Sequence, residues 1–170
     1  MGGQAGEAAE QNKNRLDQIW RHPRYQECLK AIQSCEAERE FCRHTPEHFL
    51  DVARLTYLLA LEAGLSADKD LIYAAGLLHD IGRAAQYEQG IPHEKASVQI
   101  AEEILPDCGF NREEREVILR LIDSHRKRSL ENDLASLFYR ADKLSRNCFS
   151  CPARESCNWP DEKKNLEITY

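Results

Sequence analysis

Five stretches of this chain carry an imidazole or a carboxylate at one end of an apolar stripe. His79-Asp80 closes the run Leu71-Ile72-Tyr73-Ala74-Ala75-Gly76-Leu77-Leu78. His48 precedes Val52, Leu55 and Leu59, and His93 precedes Ser97, Ile100 and Ile104, both at spacings of four, seven and eleven. His125 follows Ile118, Leu121 and Ile122, and Asp142 follows Leu134, Leu137 and Phe138. Such spacings put each polar group on the core-facing side of a helix. A lone histidine there is ordinarily a hydrogen-bonded core residue. Four imidazoles and two carboxylates together carry a large desolvation cost if unpartnered. A shared cation removes that cost, because the ligands become partners through the ion. Imidazole and carboxylate donors suit Fe, Mn, Zn or Ni rather than Mg alone.

Cations stand near the same positions. Arg83 follows the His-Asp turn, Lys143 adjoins Asp142, and Arg126, Lys127 and Arg128 follow His125. They are candidates for holding phosphate oxygens. The plain alternative is a solvated helix end, where cations also favour the dipole.

The elements that must position these groups read as helices. Residues 1–12 are expected to be a flexible lead-in. A helix runs from about Asn14 to Trp20 and is interrupted by Pro23, and a second runs from Tyr25 to Phe41. Thr45-Pro46-Glu47 is a helix start, with Thr45 as N-cap and Pro46 in the first turn, and that helix ends at Gly64. Ser66 is expected to cap a helix ending near Gly82, with a loop from Arg83 to Pro92. Further helices are expected at His93–Leu105, stopping at Pro106; from Asn111 to about Arg126; and from Leu130 or Glu131 to Leu144. Cys148–Pro160 reads as an irregular appendage. The expected fold is all-α, with units at 1–23, 24–146 and 147–170, the last packed on the same domain.

The contexts His48-Phe49-Leu50-Asp51-Val52-Ala53-Arg54, Leu77-Leu78-His79-Asp80-Ile81-Gly82-Arg83 and Arg140-Ala141-Asp142-Lys143-Leu144-Ser145 resemble the HD superfamily of metal-dependent phosphohydrolases. The resemblance covers roughly Cys42 to Arg146. It implies an HD-domain helical bundle in which His48, His79, Asp80 and Asp142 bind one divalent metal. His93 and His125 fall where two-metal members place extra ligands, an arrangement similar to small bacterial HD hydrolases that split diadenosine tetraphosphate. Asp80 would then bridge two ions; the alternative is that His93 and His125 orient a water or phosphate. The implied reaction is attack of a metal-bound hydroxide on a phosphoester or phosphoanhydride of a nucleotide or related compound. Asp80, Arg83 and Lys143 serve as catalytic groups, and Arg83, Arg126 and Lys127 bind substrate. Some nucleotidase members carry an acidic residue three positions after the HD aspartate. Arg83 stands there, which argues against a deoxynucleoside 5′-monophosphatase. A di-iron oxygenase of the HD fold and a non-enzymatic metal or redox sensor are the competing classes.

The cysteines form a second motif. Cys148, Cys151 and Cys157 give C-x2-C-x5-C, and paired thiolates at x2 spacing commonly share a metal. Cys42 lies six residues before His48, and Cys148 six after Asp142. If those segments run antiparallel, both cysteines are displaced the same way by about 9 Å. Cys42 would then complete a four-cysteine site for Zn or an iron–sulfur cluster; the alternative is reduced thiols in a tail. Cys28 and Cys35 share a helix face with Cys42 and read as small core residues, and Cys108 as structural. His44 either approaches the site or is exposed.

Composition narrows the partners. The 170 residues carry a net charge of -6, which argues against nucleic acid as the default partner. The polar start has no apolar signal core and no apolar run spans a bilayer, so a cytoplasmic location and no membrane partner are expected.

Overall fold

Side chains that satisfy free N–H groups begin most of the helices. A computed structural model of the chain describes residues 15–127, 131 and 133–170, and among them the regular structure is entirely helical. Helix α1 covers residues 15–21. Pro23 opens α2 (Pro23–Cys35), where the His22 ring accepts from Arg24 N. Thr45 caps α3 (Pro46–Glu62) by accepting from His48 N. Asp68 caps α4 (Lys69–Leu78); α5 (Arg83–Gln89) ends at Gly90 in the left-handed region. Next comes α6 (His93–Asp107). Asn111 and Glu114 form a capping box on α7 (Arg112–Ser124), and Asp133 caps α8 (Leu134–Leu144). Two short 3₁₀ turns follow, Cys148–Ser150 and Asp161–Lys163. No described helix is long and apolar enough to cross a membrane.

Several boundaries differ from those read in the sequence. Pro23 starts a helix rather than merely breaking one. Helix α2 stops at Cys35 instead of Phe41, because Glu36 turns inward and accepts from His44 N at 2.7 Å. Cys42 therefore shares no helix face with Cys28 and Cys35, and Cys35 is exposed while Cys28 and Cys108 are buried. Asp68 rather than Ser66 caps α4. The expected loop 83–92 contains α5, whose Ala84 is buried against neighbouring helices. Helix α6 runs one residue past Pro106. The lead-in, Arg128 and Leu130 lie outside the described residues.

Helix α4 is central. It packs against α3, α6 and α7, while α8 packs on α3 and α7. Phe49, Ile72, Leu78, Ile81, Ile118, Leu121 and Phe138 fill the space between them and are all at most 1 % exposed. Each such side chain contributes about 1.5–3 kcal/mol by leaving water. Two glycines allow close approaches. A Cβ on Gly76 would lie 2.7 Å from Ala53 Cβ and 2.9 Å from Phe49 O, so α4 meets α3 nearly backbone to backbone.

A Cβ on Gly82 would lie 2.5 Å from Ser97 N and 2.7 Å from His93 O. Gly82 N also donates to Ser97 Oγ at 2.9 Å. This contact fixes the turn after Asp80 against the start of α6. Gly82→Ala is expected to cost about 1–3 kcal/mol, as overpacking does, and to lower Tm by about 3–10 °C in thermal unfolding followed by circular dichroism. An unchanged Tm would mean that the turn is free to shift.

Candidate metal centre

The helix ends deliver the polar groups to one place. His48 lies in the first turn of α3, His79 and Asp80 in the turn closing α4, His93 at the first residue of α6, His125 just after α7, and Asp142 near the end of α8. All six are buried. Their ligand atoms form two sets, each within 4.8 Å of one another: His48, His79, Asp80 and Asp142; and Asp80, His93 and His125. Asp80 belongs to both. Its Oδ2 faces His79 Nε2 at 3.1 Å and His48 Nε2 at 3.6 Å, and its Oδ1 faces His93 Nε2 at 3.1 Å and His125 Nε2 at 3.7 Å. Asp142 Oδ1 lies 3.4 Å from His48 Nε2 and 3.8 Å from His79 Nε2.

The outer ring nitrogens show what the inner ones present. His79 Nδ1 donates to Gly76 O at 2.8 Å, and His125 Nδ1 donates to Ile122 O at 2.5 Å. His93 Nδ1 pairs with Gln86 Oε1 at 2.6 Å, and His48 Nδ1 with Ser145 Oγ at 3.1 Å, whose own proton goes to Asp142 O. A ring that donates through Nδ1 keeps a bare lone pair on Nε2 when neutral. His48 Nε2 and His79 Nε2 are buried without a hydrogen-bond partner. His93 Nε2 and His125 Nε2 face each other at 3.0 Å. Two lone pairs at that distance repel unless a proton or a metal ion lies between or beside them. The residues present thus fit one ion in each set. The backbone, Ser145 and Gln86 orient the ligands from outside, as metal-bound histidines are usually held.

The electrostatics agree. Burial alone would raise the Asp80 and Asp142 carboxyls, but the surrounding imidazoles, and Lys143 for Asp142, outweigh it and hold both well below the usual range. Burial would lower His79; the two carboxylates overcome that and push it up to about 9. A metal held by His79 Nε2 would have to displace that proton. His93 is lowered, chiefly by burial.

A cavity of ≈ 550 Å³ opens over Asp80 and Asp142. Arg83 lines it and donates through Nε to Asp80 Oδ1 at 3.2 Å, and Lys143 lines it with Nζ 2.5 Å from Asp142 Oδ2. Arg126 is also on the wall, 3.9 Å from Glu94. Lys127 is not among the lining residues. Its ammonium pairs with Asp123 at 2.9 Å, which is the solvated-helix-end reading of that residue.

Of the two readings of His44, its approach to the site is the one the structure shows, and its support by Glu36 and Tyr87, the role of Ser145 and the tail's place in the cavity wall escaped the sequence reading. His44 is 4 % exposed and turns Nε2 to within 3.6 Å of Asp80 Oδ2. Its Nδ1 pairs with buried Glu36, which also accepts from Tyr87 OH at 2.6 Å. Glu36 is the C-cap of α2, His44 lies 8 residues beyond it and Tyr87 is 51 residues beyond Glu36, so no one helix's periodicity connects them. Ser145 is visible in sequence only as a small residue after Asp142. The tail forms part of the cavity wall through Arg154, Trp159 and Lys164. Asn165 ties it down by donating to Lys143 O at 2.6 Å and Arg146 O at 2.9 Å.

An all-helical bundle with a His-Asp turn shared between two ligand sets defines a class of metal-binding helical domain. The HD domain family model matches residues 45–147, and the chain belongs to the HD domain family. An uncharacterized protein of Clostridium beijerinckii is 50% identical over 142 residues, covering 84% of this chain and 90% of that protein. Ribonuclease Y of Mycoplasma mycoides subsp. mycoides SC is 29% identical over 120 residues, and Ribonuclease Y of Mesoplasma florum is 28% identical over 131 residues. These matches cover 70% and 76% of this chain but only 22% and 24% of the Ribonuclease Y chains, so the likeness is to one segment of a longer protein. No solved structure matches the chain.

Proposed function

We propose that the chain hydrolyses a phosphoester or phosphoanhydride bond in a small nucleotide-like substrate. The observation that carries this reading is one buried carboxylate, Asp80, faced by three imidazoles on Oδ2 and two on Oδ1 at the floor of a cationic cavity. Transition-metal ions held there supply a water whose pKa falls to about 7 and neutralise charge on phosphoryl oxygens.

The chain's own groups do the rest. The guanidinium of Arg83 is placed to donate to a phosphoryl oxygen near Asp80. The Lys143 ammonium carries positive charge to the opposite side, beside Asp142. His44, held by Glu36, presents Nε2 to the cavity, where it would accept a hydrogen bond from a water. Arg126, Arg154 and Lys164 extend the wall outward for a further phosphate, each also beside a carboxylate, Glu94, Glu155 and Asp161 respectively. Phe41, Tyr139 and Trp159 give the same wall flat apolar surface, and the volume lies within the range of small-ligand pockets. This combination of anion site and aromatic surface suits a nucleotide.

The test is a panel. Metal-stripped protein reloaded with Mn²⁺, Fe²⁺, Ni²⁺ or Zn²⁺ is assayed against nucleoside phosphates, dinucleoside polyphosphates and, in view of the Ribonuclease Y relatives, RNA phosphodiesters. Hydrolysis of at least one class is expected, lost on chelation and restored by metal. Ion-loaded protein that cleaves none of them, or that consumes O2 instead, would contradict the reading.

A further inference from the structure

The four thiols of Cys42, Cys148, Cys151 and Cys157 are a metal-binding chemistry that hydrolysis does not use. All four line the ≈ 550 Å³ cavity, and Cys42, Cys148 and Cys151 also line a separate recess of ≈ 230 Å³. Those three therefore stand between two hollows. The Cys148–Ser150 turn, closed by Cys151 N donating to Cys148 O at 3.2 Å, brings two of them together. Arg146 donates to Arg43 O at 2.8 Å and holds the segment of Cys42 against that turn.

The surroundings suit an anion. Arg39, Arg146, Arg154 and Lys164 line the same cavity. Burial raises the Cys42 thiol and Arg146 lowers it; the other three cysteines raise it again, so all four share one electrostatic neighbourhood.

The tail also needs a fastening. From residue 148 to 170 only Cys148 is buried, and the regular structure consists of short 3₁₀ turns. Ordering a backbone costs about 1–2 kcal/mol per residue, which so little apolar burial does not offset. A metal centre is a common means of holding so small a segment.

The spacing selects the kind of centre. Tetrahedral zinc with Zn–S bonds of about 2.3 Å places its sulfurs about 3.8 Å apart. Both histidine–aspartate sets close to within 4.8 Å, whereas no three of these sulfurs do. Thiols gathered on one zinc would fall within that limit. The thiolates of a cubane of four irons and four sulfides, one on each iron, stand farther apart.

We propose that Cys42, Cys148, Cys151 and Cys157 ligate a [4Fe–4S] cluster in the wall of the ≈ 550 Å³ cavity. The cluster fastens the segment carrying His44 to the tail carrying Trp159 and Lys164. It is independent of the hydrolytic reading, because its ligands are none of the residues of the metal centre.

The experiment reads iron, acid-labile sulfide and visible absorbance in the 170-residue chain reconstituted anaerobically with ferric iron, sulfide and excess dithiothreitol, the thiol reducing half of the iron. Wild type is expected to hold about four sulfides per chain and a brown absorbance bleached by dithionite. Cys151→Ser is expected to lose both. His79→Ala, which disturbs only the histidine–aspartate centre, is expected to keep them. Wild type without sulfide after reconstitution, zinc as the metal bound by the thiols, or unchanged sulfide in Cys151→Ser would overturn the proposal. Sulfide content does not depend on turnover, so failure to find a hydrolysed substrate leaves this result standing.

Discussion

Asp80→Asn is expected to bind neither ion and to lose hydrolysis by about 10⁴-fold or more, with the helical circular dichroism retained. The amide keeps the size of the carboxylate but removes the one negative charge that both ligand sets share. The first set would keep His48, His79 and Asp142, and the second only the two imidazoles of His93 and His125. Each ion contributes several kcal/mol of transition-state stabilisation, and 1.36 kcal/mol is tenfold in rate, which sets the size of the loss. The folded state should survive, since Asp80 fills no apolar space. Ion binding has a second readout. A ligand present at about 1,000 times its Kd adds about 4 kcal/mol to stability. Wild type should therefore melt higher in Mn²⁺, and Asp80→Asn should not. A Tm that rises equally in both proteins would place the ions elsewhere.

His125→Ala separates the two sets. Its ring lies against His79 and His93, with centroids 5.2 and 5.1 Å away, and among the described residues its Nε2 reaches Asp80 and His93. Removing it should leave the first set intact and empty the second. The expected protein binds one ion where wild type binds two. Its kcat should fall by about 10²–10³-fold, the value of about 3–4 kcal/mol. Two ions still bound in this variant would mean that His93 and His125 only orient a water or phosphate.

Much of this centre is legible in the sequence because its ligands sit at helix ends. Spacings of four, seven and eleven place His48 and His93 on core faces, and the His79-Asp80 step stands out at the end of an apolar run. Local pattern carries such information whenever a helix is amphipathic. What it does not carry is contact between distant segments. Glu36, His44 and Tyr87 are joined only after α2 has stopped at Cys35 and α5 has formed where a loop was expected. Each difference has its own origin: a buried carboxylate prefers partners to helix continuation, and Ala84 finds a helix to pack against. Lys127 shows a different case. Its position after His125 suggested a phosphate contact, but Asp123, four residues earlier at the end of α7, pairs with it at 2.9 Å. The tail's place in the cavity wall rests on Asn165 bonding to Lys143 O and Arg146 O, which no composition signal announces.

Asp80 would be shared by two ions, one in each ligand set. Titrating metal-stripped protein with Mn²⁺ while recording electron paramagnetic resonance tests it most directly. Two tightly bound equivalents per chain are expected, with the second converting the isolated-ion signal to that of a coupled pair. Saturation at one equivalent, or two ions that remain magnetically independent, would contradict it.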